Sequence, residues 1–280
     1  MFHRMINAKR DVWYDSPKCS VKDIVDYAIQ TGRLRDAQIE AVKTYLFLKI
    51  GCANKPLPDL FISGAFNNLD VDDLEVSARI RNYLSGHPAA AALYEYASLK
   101  NDDGFPLSEK VVKAIKTMPE SIDCEGYFRK AFYDVSYTDY LFSLPMGAGK
   151  TFLMAAFIYL DLAMAQNEPE NSVFAHNFMV FAPSGLKSSV VPSLRTMRDF
   201  NPAWIIPEPS ASNLKHLIKF EVLDQGKTAS KSNRTKNPNV QKIAVHQPLQ
   251  DLFGLVAVTN AEKVILDRVK ISDINPLLIE

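Results

Sequence analysis

The sequence predicts an α/β protein: a parallel sheet with flanking helices, preceded by a helical N-terminal segment and a helical insertion. Three short apolar runs, at 140–144, 178–182 and 255–259, read as buried strands. A long apolar stretch from Lys150 to about residue 166 reads as a helix between the first two. Strands that alternate with helices in this way imply parallel pairing with helices packed on the sheet.

Upstream the pattern is helical. Residues 1–18 are mixed in character and carry Pro17, so a lead-in without regular structure is expected. Ser20 and Asp23 mark a helix start, with Val21, Ile24, Val25, Ala28 and Ile29 on one face and Gly32 as the stop. A second helix is expected over 35–50, amphipathic through Ile39, Val42, Leu46 and Leu48. After a loop and an apolar run at 60–66 too short to assign, the spacing predicts helices over 72–84, 88–99, 107–118 and 124–133. Asp70, Asp72 and Asp73 then fall at a helix start, where carboxylates favour the helix dipole. The chain divides on this reading into 1–50, 51–136 and 137–280. Residues 225–242 contain Lys227, Lys231, Arg234, Lys236 and Lys242 but no acidic residue and no apolar period, and are expected to form a loop, either solvated or in contact with phosphates.

Composition narrows the function. With 47% hydrophobic and 23% charged residues over 280 positions, the chain can bury a real core. Equal numbers of basic and acidic residues, 32 of each, give no net charge, so nucleic-acid binding must rest on local patches. Cys19, Cys52 and Cys124 form no CxxC pair and are expected to be buried thiols. His3, His87, His176, His216 and His246 lack metal-ligand spacing. The N-terminus has no apolar core of the secretory kind. The apolar run at 152–165 is broken by Asp161 and falls short of the ~20 residues a membrane span needs, so a cytoplasmic protein is expected. The aromatic residues Tyr127, Phe128, Phe132, Tyr133, Tyr137 and Tyr140 are expected to pack in a core rather than to stack bases.

The segment Pro145-Met146-Gly147-Ala148-Gly149-Lys150-Thr151 joins a predicted strand to a predicted helix, the context of a phosphate-binding loop. Gly147 and Gly149 let the backbone curl so that successive N–H groups point inward, and the helix opening at Lys150 adds its positive dipole end. Lys150 is the expected partner of the terminal phosphates of ATP, and Thr151 the expected ligand of the Mg²⁺ that bridges them. Such loops usually begin with glycine at the place held here by Leu144, so Pro145 is expected to shape the start of the turn.

The wording Leu144-Pro145-Met146-Gly147-Ala148-Gly149-Lys150-Thr151 resembles motif I of superfamily 2 helicases of the DEAD/DEAH-like group, above all the helicase subunit of type III restriction enzymes. Phe178-Met179-Val180-Phe181-Ala182-Pro183-Ser184 is similar to motif Ia. The resemblance makes Ser184, with Lys187 and Lys215 beside it, candidates for nucleic-acid contact. Val256-Ala257-Val258-Thr259-Asn260 is similar to the next strand-loop element, which puts Thr259 and Asn260 in the same role. Leu34-Arg35-Asp36-Ala37-Gln38-Ile39-Glu40-Ala41 looks like the segment carrying the adenine-reading glutamine, Gln38.

The resemblance implies a RecA-like P-loop NTPase domain, present here in incomplete form, in an ATP-dependent helicase or translocase that acts on nucleic acid, with DNA favoured over RNA and the choice between them left open. Such an enzyme also needs an apolar strand ending in Asp-Glu, and none follows Lys150; Leu277-Leu278-Ile279-Glu280 is apolar and then acidic. A second motor domain is expected in a longer or partner chain, and hydrolysis by residues 1–280 alone is expected to be negligible. Two alternatives stay open: a non-catalytic nucleotide-binding or adaptor module, and a P-loop ATPase that does not act on nucleic acid.

Overall fold

A computed structural model describes residues 2–99, 107–182, 190–222 and 253–260, with Asn260 described by its backbone alone. The chain forms two compact units, 1–148 and 149–280.

The first unit is helical. The N-terminal segment is a helix, α1 (Phe2–Tyr14), rather than an irregular lead-in. Its buried Met5, Ile6 and Trp13 share one face, and Pro17 lies beyond its end, where it interrupts nothing. Helix α2 (Lys22–Thr31) stops at Gly32, whose φ of 61° places its N–H on the carbonyl of Ile29. Helix α3 (Asp36–Leu46) runs on into one wide turn, Phe47–Gly51. A Cβ at Gly51 would lie 2.8 Å from the Phe47 ring and 3.1 Å from the Trp13 indole, so this contact requires glycine.

Short helices α4 (Leu57–Ile62), α5 (Ala78–Gly86), α6 (Pro88–Ser98), α7 (Glu109–Thr117) and α8 (Cys124–Ala131) complete the unit. Residues 72–77 are not helical: α5 starts only after Ser77, whose side chain accepts from the Ile80 N–H. Asp70 instead accepts from the Asp72 N–H in a local turn, so the three aspartates do not sit at a helix start.

An aromatic cluster binds the N-terminal helices to the block at 51–136. Phe2 of α1 stacks on Tyr96 at 4.4 Å and packs against Phe61 at 5.0 Å. Phe61 meets Phe66 at 4.9 Å and Phe128 at 5.1 Å. The expectation of core packing thus holds for Phe128, but Tyr133 and Tyr137 are 87% and 64% exposed. They follow α8, on a stretch where Tyr133 and Asp134 both have positive φ and the helical register is lost.

All three cysteines are buried, and burial pushes the thiols up, Cys52 to about 12 and Cys124 to about 11.

The second unit is α/β. Helix α9 (Lys150–Asn167) is followed by strand β1 (Phe178–Ala182), helices α10 (Val191–Asp199) and α11 (Ser210–Leu217), and strands β2 (Lys219–Val222) and β3 (Leu255–Asn260). The three strands form a parallel sheet in the order β1-β3-β2, with Val180 opposite Val258 and Phe220 opposite Val256. Central β3 is buried from Val256 to Thr259, which explains its unbroken apolar run. Helix α9 is buried almost all round from Leu153 to Ala165 and contributes Phe152 and Tyr159 to a ring cluster with Phe200 and Trp204. Its buried Asp161 accepts from the Ala175 N–H at 3.4 Å.

The strand expected at 140–144 has no ladder partner among the described residues. The segment has no regular structure, and side chains at and just before it tether it to α3 and to the loop that follows the wide turn. Thr138 Oγ1 donates to the Asn54 carbonyl at 2.6 Å, Tyr140 Oη to the Lys55 carbonyl at 3.0 Å, and Phe142 packs near Tyr45.

Phe61 is fully buried at the centre of the aromatic cluster, so Phe61→Ala is expected to destabilise the first unit by about 3–5 kcal/mol. With Trp204→Phe in the background, Trp13 fluorescence during urea unfolding reads that unit alone. Iodoacetamide at pH 8 should leave Cys52 and Cys124 unmodified in the folded chain and label both in urea, as intact-mass spectra would record.

Candidate functional site

The chain leaves the tethered segment at Leu144, which Pro145 restricts to an extended backbone. A tight turn follows, closed by the Ala148 N–H on the Pro145 carbonyl at 3.2 Å, so the turn starts at Pro145 as expected. Gly147, third in this turn, has φ 79°, and Gly149 has φ 75°, conformations that side chains other than glycine's resist. A Cβ at Gly147 would meet nothing within 4 Å, so the space beside the turn is open. Met146 is 96% exposed.

Helix α9 begins directly after Gly149, and its first internal bond is Leu153 N–H to the Gly149 carbonyl at 2.9 Å. Among the described residues, no acceptor faces the N–H groups of Gly147, Gly149, Lys150, Thr151 and Phe152. These are the donors a helix start always leaves over, extended by one turn of loop. Lys150 is exposed and makes no ion pair among the described residues; Thr151 is half-buried. Free amides with a lysine and a hydroxyl at a helix N-terminus are the kinds of group that a Mg²⁺-bound polyphosphate requires.

In the first unit the turn is held from behind by the start of α3. Arg35 Nη1 donates to the Gly147 carbonyl at 3.0 Å, and Gln38 Nε2 donates to the Ala148 carbonyl at 3.0 Å. Gln38 is only 5% exposed, and its Oε1 accepts from the Arg35 N–H at 2.9 Å. The glutamine assigned to adenine by sequence is therefore engaged at both ends by protein. Helix α3 is itself anchored by the buried Arg10 of α1, which donates to Thr44 Oγ1 at 2.8 Å and pairs with Glu40 at 2.5 Å. Beside these helices, the segment from Tyr140 to Pro145 borders an open cavity of about 640 Å³ lined by Asn7, Arg10, Glu40 and Thr44. Burial, with a smaller contribution from Cys52, raises the Tyr140 phenol above its ordinary range.

The remaining sequence candidates are spread over the second unit. Thr259 is fully buried in β3, opposite Phe181; Asn260 closes that strand opposite Ala182. Lys215 is exposed on α11. Ser184, Lys187 and the basic stretch at 225–242 lie outside the described residues. Sequence reasoning missed Arg35 as part of the site, although it lies within the segment quoted for Gln38.

No family model, curated protein or solved structure matches the chain.

Proposed function

We propose that the loop from Pro145 to Thr151 binds ATP with Mg²⁺, and that the chain is the nucleotide-binding part of a nucleic-acid-dependent helicase or translocase ATPase acting on DNA. The observation that carries this reading is the set of amides at Gly147 and from Gly149 to Phe152 that meet no acceptor among the described residues, in a loop with two left-handed glycines and the pair Lys150-Thr151. In it the amides hold the phosphate oxygens, Lys150 neutralises the far end of the triphosphate, and the Thr151 hydroxyl is a ligand of Mg²⁺. The metal, when bound, draws charge from the phosphates and fixes their geometry.

The nucleic-acid half of the reading is supported by the sheet. Strands β1 and β3 are parallel neighbours whose last residues, Ala182 and Asn260, stand opposite one another. Thr259 and Asn260 therefore stand at the carboxyl end of β3, beside the carboxyl end of β1, where open α/β sheets bind ligands. A second reading is a non-catalytic nucleotide-binding module, in which the same loop would hold ATP as a structural ligand.

Lys150→Ala is expected to weaken Mg²⁺·ATP binding by about 10- to 100-fold, as for loss of hydrogen bonds to a charged group, measured by titration calorimetry. Duplex DNA should raise ATP affinity in the wild-type chain; affinity indifferent to DNA and RNA selects the non-catalytic module. Phosphate release by residues 1–280 should stay at background with DNA present, and robust stimulated turnover would contradict the role given to the absent acidic strand.

A further inference from the structure

Arg35 and Gln38 sit one helical turn apart at the start of α3, and both donate side-chain hydrogen bonds to consecutive loop carbonyls, Gly147 and Ala148. A peptide unit is planar, with its C=O and the following N–H on opposite sides. The plane that carries the Ala148 carbonyl also carries the Gly149 N–H. Drawing that carbonyl towards α3 turns the Gly149 N–H to the other side, where no described acceptor meets it. The plane before it is held twice: Arg35 takes the Gly147 carbonyl, and the Ala148 N–H closes the turn on Pro145.

The two residues also brace one another. Gln38 Oε1 accepts the Arg35 N–H while its Nε2 reaches Ala148, so the amide cannot rotate without losing both bonds. Arg35 is exposed, has no carboxylate partner among the described residues, and spends one guanidinium donor on Gly147.

We propose that Arg35 and Gln38 are positioning residues that set the two peptide planes of the loop in the polyphosphate-binding orientation before any ligand arrives. They act on the phosphate half of the nucleotide, which gives Gln38 a task other than reading the base. This rests on the ATP reading of the loop. It predicts that removing the Arg35 contact lowers affinity for any polyphosphate, whether or not a nucleoside is attached.

The test compares Mg²⁺ complexes of a non-hydrolysable ATP analogue and of inorganic tripolyphosphate, titrated into wild-type, Arg35→Ala and Arg35→Lys chains. Arg35→Ala should weaken both probes by the same factor, about tenfold, the size of one charge-assisted hydrogen bond. Arg35→Lys, which keeps one donor, should recover most of the loss. Without ligand, hydrogen exchange at the amides of 145–149 should quicken in Arg35→Ala while the aromatic core around Phe61 stays protected. A loss confined to the ATP analogue would overturn the proposal by making Arg35 a base or sugar contact, and unchanged affinity with unchanged exchange would overturn it too. A wild-type chain that binds neither probe would sink the ATP reading, while the exchange comparison, which needs no ligand, separately decides whether the brace exists.

Discussion

A helix cannot supply acceptors for its own first N–H groups, and in α9 nothing else among the described residues supplies them either. Helices commonly relieve this with a capping side chain. Here the residue before the helix is Gly149, which has none to offer, and the adjoining loop adds the unpaired amide of Gly147. Desolvating such a group without a partner costs on the order of 1–3 kcal/mol, so the donors stay stable only while open to water or to an anion. The exposure of Gly147, Gly149 and Lys150 meets that condition.

Packing fixes the chain on either side of this short loop, each side within its own unit. Beyond it, α9 is packed on nearly every side, with Phe152 and Tyr159 locked among Phe200 and Trp204, so its first residue has little freedom to shift. Before it, α3 is fixed to α1 by the buried Arg10, whose charge is matched by Glu40 and Asp11 and whose Nη1 donates to Thr44 and to the Glu40 carbonyl. A buried guanidinium is tolerable only when so paired, and the pairing makes the rotation of α3 about its axis definite. That definition passes on to Arg35 and Gln38.

Local chemistry was legible in the sequence, and contacts between distant segments were not. Strand β3 was readable because a buried parallel strand must be apolar at every position, as in Val256-Ala257-Val258, and β1 because it is apolar throughout, although Met179 and Phe181 are exposed at the sheet edge. Strand β2 escaped notice: Lys219-Phe220-Glu221-Val222 alternates over only four residues at a half-exposed sheet edge. Residues 140–144 have the same apolar signature as a strand, yet Tyr140 bonds the loop after α3, Phe142 packs near Tyr45 and Leu141 is exposed, an outcome that periodicity cannot distinguish. Helix α1 was hidden by Pro17, which stops a helix only where it lies inside one. In the site, Gly147, Gly149, Lys150 and Thr151 could be read from a nine-residue window running from Ser143. The hold of Arg35 and Gln38 on the loop spans more than a hundred residues of chain and depends on the tertiary fold.

Gly51 bears on how much sequence change the first unit can absorb. Its missing side chain is the room in which the Trp13 indole and the Phe47 ring come together, so even a methyl group there must move an aromatic ring. Of the neighbouring positions Ile50 is half-buried, while Phe47, Leu48, Lys49 and Cys52 are buried. In a saturation library Gly51 would therefore read as a column that admits no side chain among neighbours that need one, set apart by ring geometry with no ligand or chemistry involved.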